Sequence, residues 1–257
     1  MSLSVCIITL NEEANLGRTL ASAIGIADEV VIVDNGSIDR TLEIARSFGA
    51  KVKVYTEPWK GFAAQKNSAI GKATCEYVLS LDADEEVSPE LAESIRRELA
   101  GAPAVGYWLR RRNLFLGRWV RRGGFYPDPK LRLFRCDAGR FSERAVHETV
   151  ELSAGREAMR TLQGDLIHHA YPTLTGYIDH MNRYSSLGAE LAANKGQGRH
   201  LVWNVVVRPA ATFLYNYVFR LGFLDGQEGL LLHLYHAVYV SWKYAKAWEM
   251  GKVERKK

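Results

Sequence analysis

Four short apolar runs, each followed by a stretch with helical character, fill the first hundred residues. This alternation limits the fold more than any other feature. The runs are 3–10 (LSVCIITL), 29–33 (EVVIV), 52–55 (VKVY) and 77–81 (YVLSL). Leu16, Leu20 and Ile24 repeat at helical spacing within 12–24, and Leu42, Ala45 and Phe48 point inward from a helix over 39–48. Residues 61–72 read as a third helix. Ser88-Pro89 offers a capping hydroxyl with proline at the first helical position, which predicts a fourth helix to about Leu99. Such alternation predicts an α/β fold with a mostly parallel sheet and helices on both faces. Ligands of these sheets sit beyond the carboxyl ends of the strands. Three polar clusters follow strand ends here: Thr9 to Glu13, Asp34 to Asp39, and Asp82 to Glu86. The predicted order puts all three on one edge.

The last cluster holds four carboxylates: Asp82, Asp84, Glu85 and Glu86. Asp82 and Asp84 flank one small residue, Ala83. Paired carboxylates at a strand mouth suit Mg²⁺ or Mn²⁺, which take oxygen ligands and share them with substrate phosphates. The alternative is a solvated acidic turn, and Glu85 and Glu86 fit that reading because acids near a helix start suit its dipole.

The stretches SVCIITLNEE, VVIVDNGSIDRT, QKNSAIGKA and YVLSLDADE occur in that order, each at a strand end or early in a helix. Together they resemble the family 2 glycosyltransferases, whose fold is called GT-A, over about residues 2–100. The resemblance implies a nucleotide-sugar donor and a divalent cation, Mg²⁺ or Mn²⁺. It implies that Thr9, Asn11 and Glu12 line the nucleoside pocket and that Asp34 and Asn35 contact the base or ribose. Many relatives carry a second aspartate where Asn35 stands. It implies further that Lys66 reaches the nucleotide, that Asp82 contacts ribose or metal, and that Asp84 binds the metal bridging the diphosphate.

From Arg110 to Arg135 there are nine basic residues against one acid, Asp128, a net of +8, whereas the whole 257-residue chain carries +5. Phe115, Trp119, Phe125 and Tyr126 are interleaved. Basic residues among aromatics also occur in single-stranded nucleic-acid binders, but nucleic acid gives no reason for a sugar-nucleotide edge nearby. An anionic glycolipid acceptor accounts for both, and no nucleic-acid partner is expected. The expected acceptor-side residues are Arg121, Arg122, Tyr126, Lys130 and His147. A solvated basic loop is the plainer reading. An inverting transfer needs a carboxylate to take the acceptor hydroxyl's proton. By the resemblance this is Glu148, with Glu143 as its rival and His147 beside it. His168 and His169 follow an apolar run, either as a hydrogen-bonded structural pair or with one of them joining the metal.

Past about 173 the chain reads as helical, with eleven aromatic residues between Trp203 and Trp248 interrupted by Arg208, Arg220, Lys243 and Lys246. That pattern suits helices lying in a membrane interface; packing on the catalytic domain or a homo-oligomer interface is the other reading. The expected organisation is a catalytic domain over 1–170 and a helical region over 171–257. Within the former, 1–100 bind the nucleotide-sugar and 101–170 serve the acceptor. Cys6, Cys75 and Cys136 are widely spaced and form no metal or disulfide pattern, which fits a reducing compartment. The N-terminal run lacks a preceding basic residue and reads as a strand rather than a signal peptide. The segments GGFYPDPKLRLFR, VHE and GFLDGQEG resemble the glucosyltransferases of lipopolysaccharide core assembly. That resemblance implies hexose transfer, with UDP-glucose as the first expectation, to an inner-core heptose on the cytoplasmic face of the inner membrane. A polyprenyl-phosphate acceptor, or an inactive membrane- or RNA-binding relative, are the competing readings.

Overall fold

A computed structural model describes residues 1–142, 149–153, 159–195 and 200–254. The predicted alternation is present. Strands β1 (Leu3–Thr9), β2 (Glu29–Asp34), β3 (Val52–Thr56) and β4 (Tyr77–Asp82) alternate with helices α1 (Leu16–Ala23), α2 (Thr41–Ser47) and α3 (Phe62–Ile70). They pair in parallel in the order β3-β2-β1-β4. All six residues of β2 are buried, as a strand covered on both faces requires. α1 buries Leu16, Thr19, Leu20 and Ala23, the helical stripe read from the sequence. It starts at Leu16 rather than at residue 12. Asn11 takes a left-handed backbone, φ 56°, and the amides of Asn15 and Leu16 both bond the Glu12 carbonyl, closing a turn ahead of the helix. Helix α4 (Pro89–Ala100) begins as predicted, with the Leu91 amide donating to the Ser88 hydroxyl at 3.2 Å.

Beyond β4 the sheet turns antiparallel. Its added strands are β5 (Glu85–Val87), β6 (Gly106–Phe115), β8 (Asp128–Arg135) and β11 (Met159–Tyr171). The order continues β4-β8-β6-β11-β5, with β8 antiparallel to both β4 and β6, and β5 antiparallel to β11. The short β7 (Arg118–Trp119) pairs with the end of β6. β9 (Gly139–Ser142) and β10 (Thr149–Leu152) form a separate antiparallel pair. Of these strands, the sequence reads as strand-like only over 106–111 and 130–135, parts of β6 and β8. β11 is polar along much of its length, so its pairing rather than its pattern makes it a strand. Its Gly164 has φ +86°, and a Cβ there would overlap the backbone of Leu91, so this glycine admits the start of α4.

The chain divides into two compact units, Met1–Arg111 with Asp128–His168, and Arg112–Pro127 with His169–Lys257. The first holds the sheet and its apolar core of Val5, Ile7, Leu20, Ile32, Leu79 and Leu81. The second holds α5 (Leu174–Asn194), α6 (Arg208–Leu214) and α7 (Gly226–Glu254). There Ala189 and Ala192 of α5 meet Val240, Tyr244 and Ala247 of α7. Among the described residues, no helix is long and apolar enough to cross a membrane.

Candidate active site

Parallel pairing sets the site. Thr9 lies opposite Asp34, and Ile8 opposite Asp82, so the ends of β1, β2 and β4 reach the same edge of the sheet in register. The three polar clusters are therefore neighbours, as the strand order predicts.

Asp34 is fully buried. One carboxylate oxygen accepts from the Gly36 and Ser37 amides at 2.8 Å each. The other accepts from the Thr9 and Ser37 hydroxyls at 2.9 and 2.5 Å. Four donors occupy the four positions a carboxylate offers. Asp34 and Thr9 thus fix the turn at 34–37 by bonding one another. Asn35 is half-exposed beside them, and its amide donates to the Thr9 carbonyl. Asn11 meets the same turn: its amide donates to the Ser37 hydroxyl and its side-chain oxygen accepts from the Ile38 amide. Glu12 is tied by its amide to Thr41 and accepts from Asn15 at 3.0 Å. Burial pushes the Glu12 carboxyl above its usual range. The Asn15 hydrogen bond opposes that, and the Asp84, Asp39 and Asp82 carboxylates add to the rise.

Asp82 lies between two buried cations. Lys66 of α3 places Nζ 2.7 Å from one oxygen, and Arg132 of β8 places Nη2 2.5 Å from the other. Burial alone would raise its pKa; Arg132 and Lys66 outweigh that and hold the carboxyl well below the ordinary range. Lys66 also lies 5.2 Å over the Phe141 ring. Sequence reading aims Lys66 at a nucleotide; in the structure it reaches Asp82.

Behind this pair stands Glu85, fully buried in β5. It meets Arg132 at 3.4 Å and Arg111 at 3.3 Å, and accepts the Asp82 amide at 3.1 Å. Arg111 in turn bonds Asp128 at 2.7 Å, and Lys130 bonds the other oxygen of Asp128 at 2.9 Å. Sequence reading takes Glu85 as an exposed acid before a helix. It is instead the inner anion of a charge network, because Glu85 opens a short strand paired to β11 before the helix begins. Arg132 carries no signal separating it from the eight other basic residues around it.

Asp84 is half-buried, and His168 of β11 lies with Nε2 3.3 Å from its carboxylate. His168 thus meets the acidic edge. Among the described residues no cluster of three or more His, Cys, Asp or Glu has metal-ligating geometry. A cation here would take Asp84 and His168 as protein donors and fill its remaining positions with phosphate oxygens and water. That is the usual way Mg²⁺ and Mn²⁺ sit at diphosphates. Both oxygens of Asp82 already carry ion pairs, so Asp84 is the better placed aspartate. A cation would also relieve the carboxylate crowding recorded at Glu12, and the residues present fit the group.

Of the expected acceptor-side residues, Lys130 belongs to the first unit and Arg121, Arg122 and Tyr126 to the second. Glu143, His147 and Glu148 lie outside the described residues.

The chain matches the description Glycosyl transferase family 2 over residues 4–182. It belongs to that family. The family 2 glycosyltransferase described here is 32% identical over 255 residues to the lipopolysaccharide core biosynthesis glycosyltransferase LpsC of Rhizobium meliloti (strain 1021), across 97% of this chain and 93% of that protein. It is 32% identical over 205 residues to an uncharacterised glycosyltransferase of Rickettsia typhi, across 76% and 69% of the two chains. Among solved structures it is similar to the mannosyltransferase PcManGT from Pyrobaculum calidifontis in complex with GDP-Man and Mn²⁺. The TM-score is 0.52 at 16% identity, across 95% of this chain and 86% of that one. That likeness supports the GT-A fold expected from the sequence, with the C-terminal helices in place.

Proposed function

We propose that this family 2 glycosyltransferase is an inverting, metal-assisted hexosyltransferase. Its donor is a nucleoside diphosphate sugar, with UDP-glucose as the first candidate. Its acceptor is a hydroxyl of an anionic glycolipid, a heptose of the lipopolysaccharide inner core. The observation that carries the reading is the strand-edge constellation of Asp84 with His168 beside Asp82 held by Lys66 and Arg132. The similarity to LpsC over nearly the whole of both chains supports the acceptor class. Asp84 and His168 would hold the divalent cation, which when bound offsets charge on the departing diphosphate. Asp82, fixed at both oxygens, presents a rigid anionic edge to the ribose side. Asn11, Glu12 and Asn35 line the nucleoside side of the same edge.

The test is thermal stabilisation of the chain by nucleotide-sugars with and without Mn²⁺. Saturation at about 100 times Kd adds about 2.7 kcal/mol, several degrees in melting temperature. UDP-glucose with Mn²⁺ is expected to give the largest shift, and chelator to remove most of it. No shift with any nucleotide-sugar would end the reading.

The proton acceptor is assigned to Glu148. Glu148→Gln is expected to lower kcat by ~10²-fold or more with donor affinity nearly kept, because proton abstraction acts in the transition state. Unchanged turnover on a sugar-hydroxyl acceptor would point to Glu143. Unchanged turnover on a polyprenyl phosphate, already an anion that needs no base, would favour that acceptor class instead.

A further inference from the structure

Helices normally turn their polar face to water. The second unit contains one that does the reverse. Residues 203–207 and 215–219 are π-helical turns on either side of α6, so 203–219 is one continuous helical run. Its inner face meets α7: Ser241 donates to the Val205 carbonyl, Arg208 bonds the Tyr244 hydroxyl, and Asn204 and Pro209 are buried. The outer face is apolar at both ends. At one end Val202, Trp203, Val206 and Val207 are exposed, Val202 at 70% and Trp203 at 58%. At the other, Leu214, Tyr215, Val218 and Phe219 are exposed, Phe219 at 75%. The i→i+5 bonds of the two π turns rotate the chain less per residue than an α turn, which keeps these positions on one stripe.

The sequence presents the basic loop and the helical tail as separate features. In the second unit they are one surface. Asp225, buried in the turn after this helix, accepts the amides of Arg121 and Arg122 at 3.0 and 2.8 Å. The Gly123 amide donates to the Arg220 carbonyl at 3.0 Å. Gly123, φ +66°, leaves no room for a side chain because the His233 ring fills that space. The Arg220 guanidinium covers Gly124 and lies 5.7 Å over the Tyr215 ring. Arg121, Arg122 and Arg220, all exposed, are thereby fixed beside an exposed apolar stripe that continues through Leu221, Phe223 and Leu224, and Arg118, also exposed, is held by Glu228 at 3.5 Å.

We propose that this surface, clamped together by Asp225, docks onto an anionic lipid bilayer. The apolar stripe enters the interface and the four arginines meet lipid phosphates. A second copy of the chain is the poorer occupant, since a two-fold contact on this face would bring the same arginines toward one another. The inference rests on exposure and charge in the second unit and stands apart from the transfer reaction.

The test is co-sedimentation of the full chain with vesicles of phosphatidylcholine alone or with phosphatidylglycerol, across a salt series. Binding to the anionic vesicles is expected to weaken with salt yet persist, because arginine attraction is screened and apolar burial is not. The double substitution Val206→Asp and Phe219→Asp is expected to reduce binding at least tenfold while keeping the melting temperature and UDP binding of the parent. Asp225→Asn, which keeps one acceptor oxygen, should weaken the salt-sensitive part more than the residual part. The proposal is overturned if the parent stays in the supernatant at low salt with anionic lipid in excess. It is also overturned if the chain is a dimer in solution that Phe219→Asp converts to monomer without changing lipid binding.

Discussion

An Asp84→Ala chain is expected to lose ~10²–10³-fold or more in kcat, the usual cost of removing one group that stabilises charge developing in the transition state. Its nucleotide-sugar binding should lose its dependence on Mn²⁺. The fold should survive. Asp84 is half-buried and meets His168 at 3.3 Å, and one such hydrogen-bonding contact contributes about 1 kcal/mol net. Glu12 provides a second readout. Because Asp84 is one of the carboxylates that raise its pKa, Glu12 should titrate lower in the variant than in the parent. Asp82→Ala behaves differently, since it leaves Lys66 and Arg132 as buried cations without their shared anion, and stability falls along with activity. An Asp84→Ala chain retaining full turnover in chelator would remove the cation from the proposed reaction.

The contrast between these two aspartates marks what could be read from the sequence. Apolar runs followed by polar clusters give the parallel strands and hence the shared edge, because burial of a parallel sheet leaves a direct imprint on residue type. Asp84 is visible for that reason: it follows a strand in an Asp-x-Asp pattern. Asp34 is visible too, and three of its four hydrogen bonds come from its own turn, but the fourth depends on Thr9 from a strand that lies next to it only in the fold. Glu85 is misread because nothing local distinguishes a solvated acid from a buried one. Its burial follows from β5 pairing with β11, which begins some seventy residues later. Asp225 presents the same difficulty from the other end of the chain. The segment GFLDGQEG stands out, but its role as acceptor for two amides about a hundred residues upstream needs the packed helices.

Arg132 is the residue on which this non-local part of the site depends, and its removal should be felt first in stability. It is buried, holds Asp82 at 2.5 Å, and meets the fully buried Glu85 at 3.4 Å. Arg132→Met keeps most of the side-chain volume and deletes the charge. Among the described ion pairs, Glu85 then retains Arg111 and Asp82 retains Lys66. Breaking a buried ion pair from one side costs about 3–5 kcal/mol, because the stranded charge keeps its desolvation penalty. For a chain of this size that corresponds to a fall in melting temperature of roughly 10 °C. Arg132→Lys should fall between parent and methionine, since an ammonium restores the charge but is more strongly hydrated and on a shorter stem than the guanidinium whose Nη2 reaches both carboxylates. Adding Glu85→Gln to Arg132→Met should recover a large share of the loss: the amide oxygen can still accept the Asp82 amide, and no uncompensated carboxylate remains beside Arg111's partner Asp128. Melting curves of the four chains decide the matter. If Arg132→Met melts within about 2 °C of the parent, water and Lys66 already satisfy these carboxylates. The rigidity of Asp82 would then come from the strand that carries it and not from the arginine.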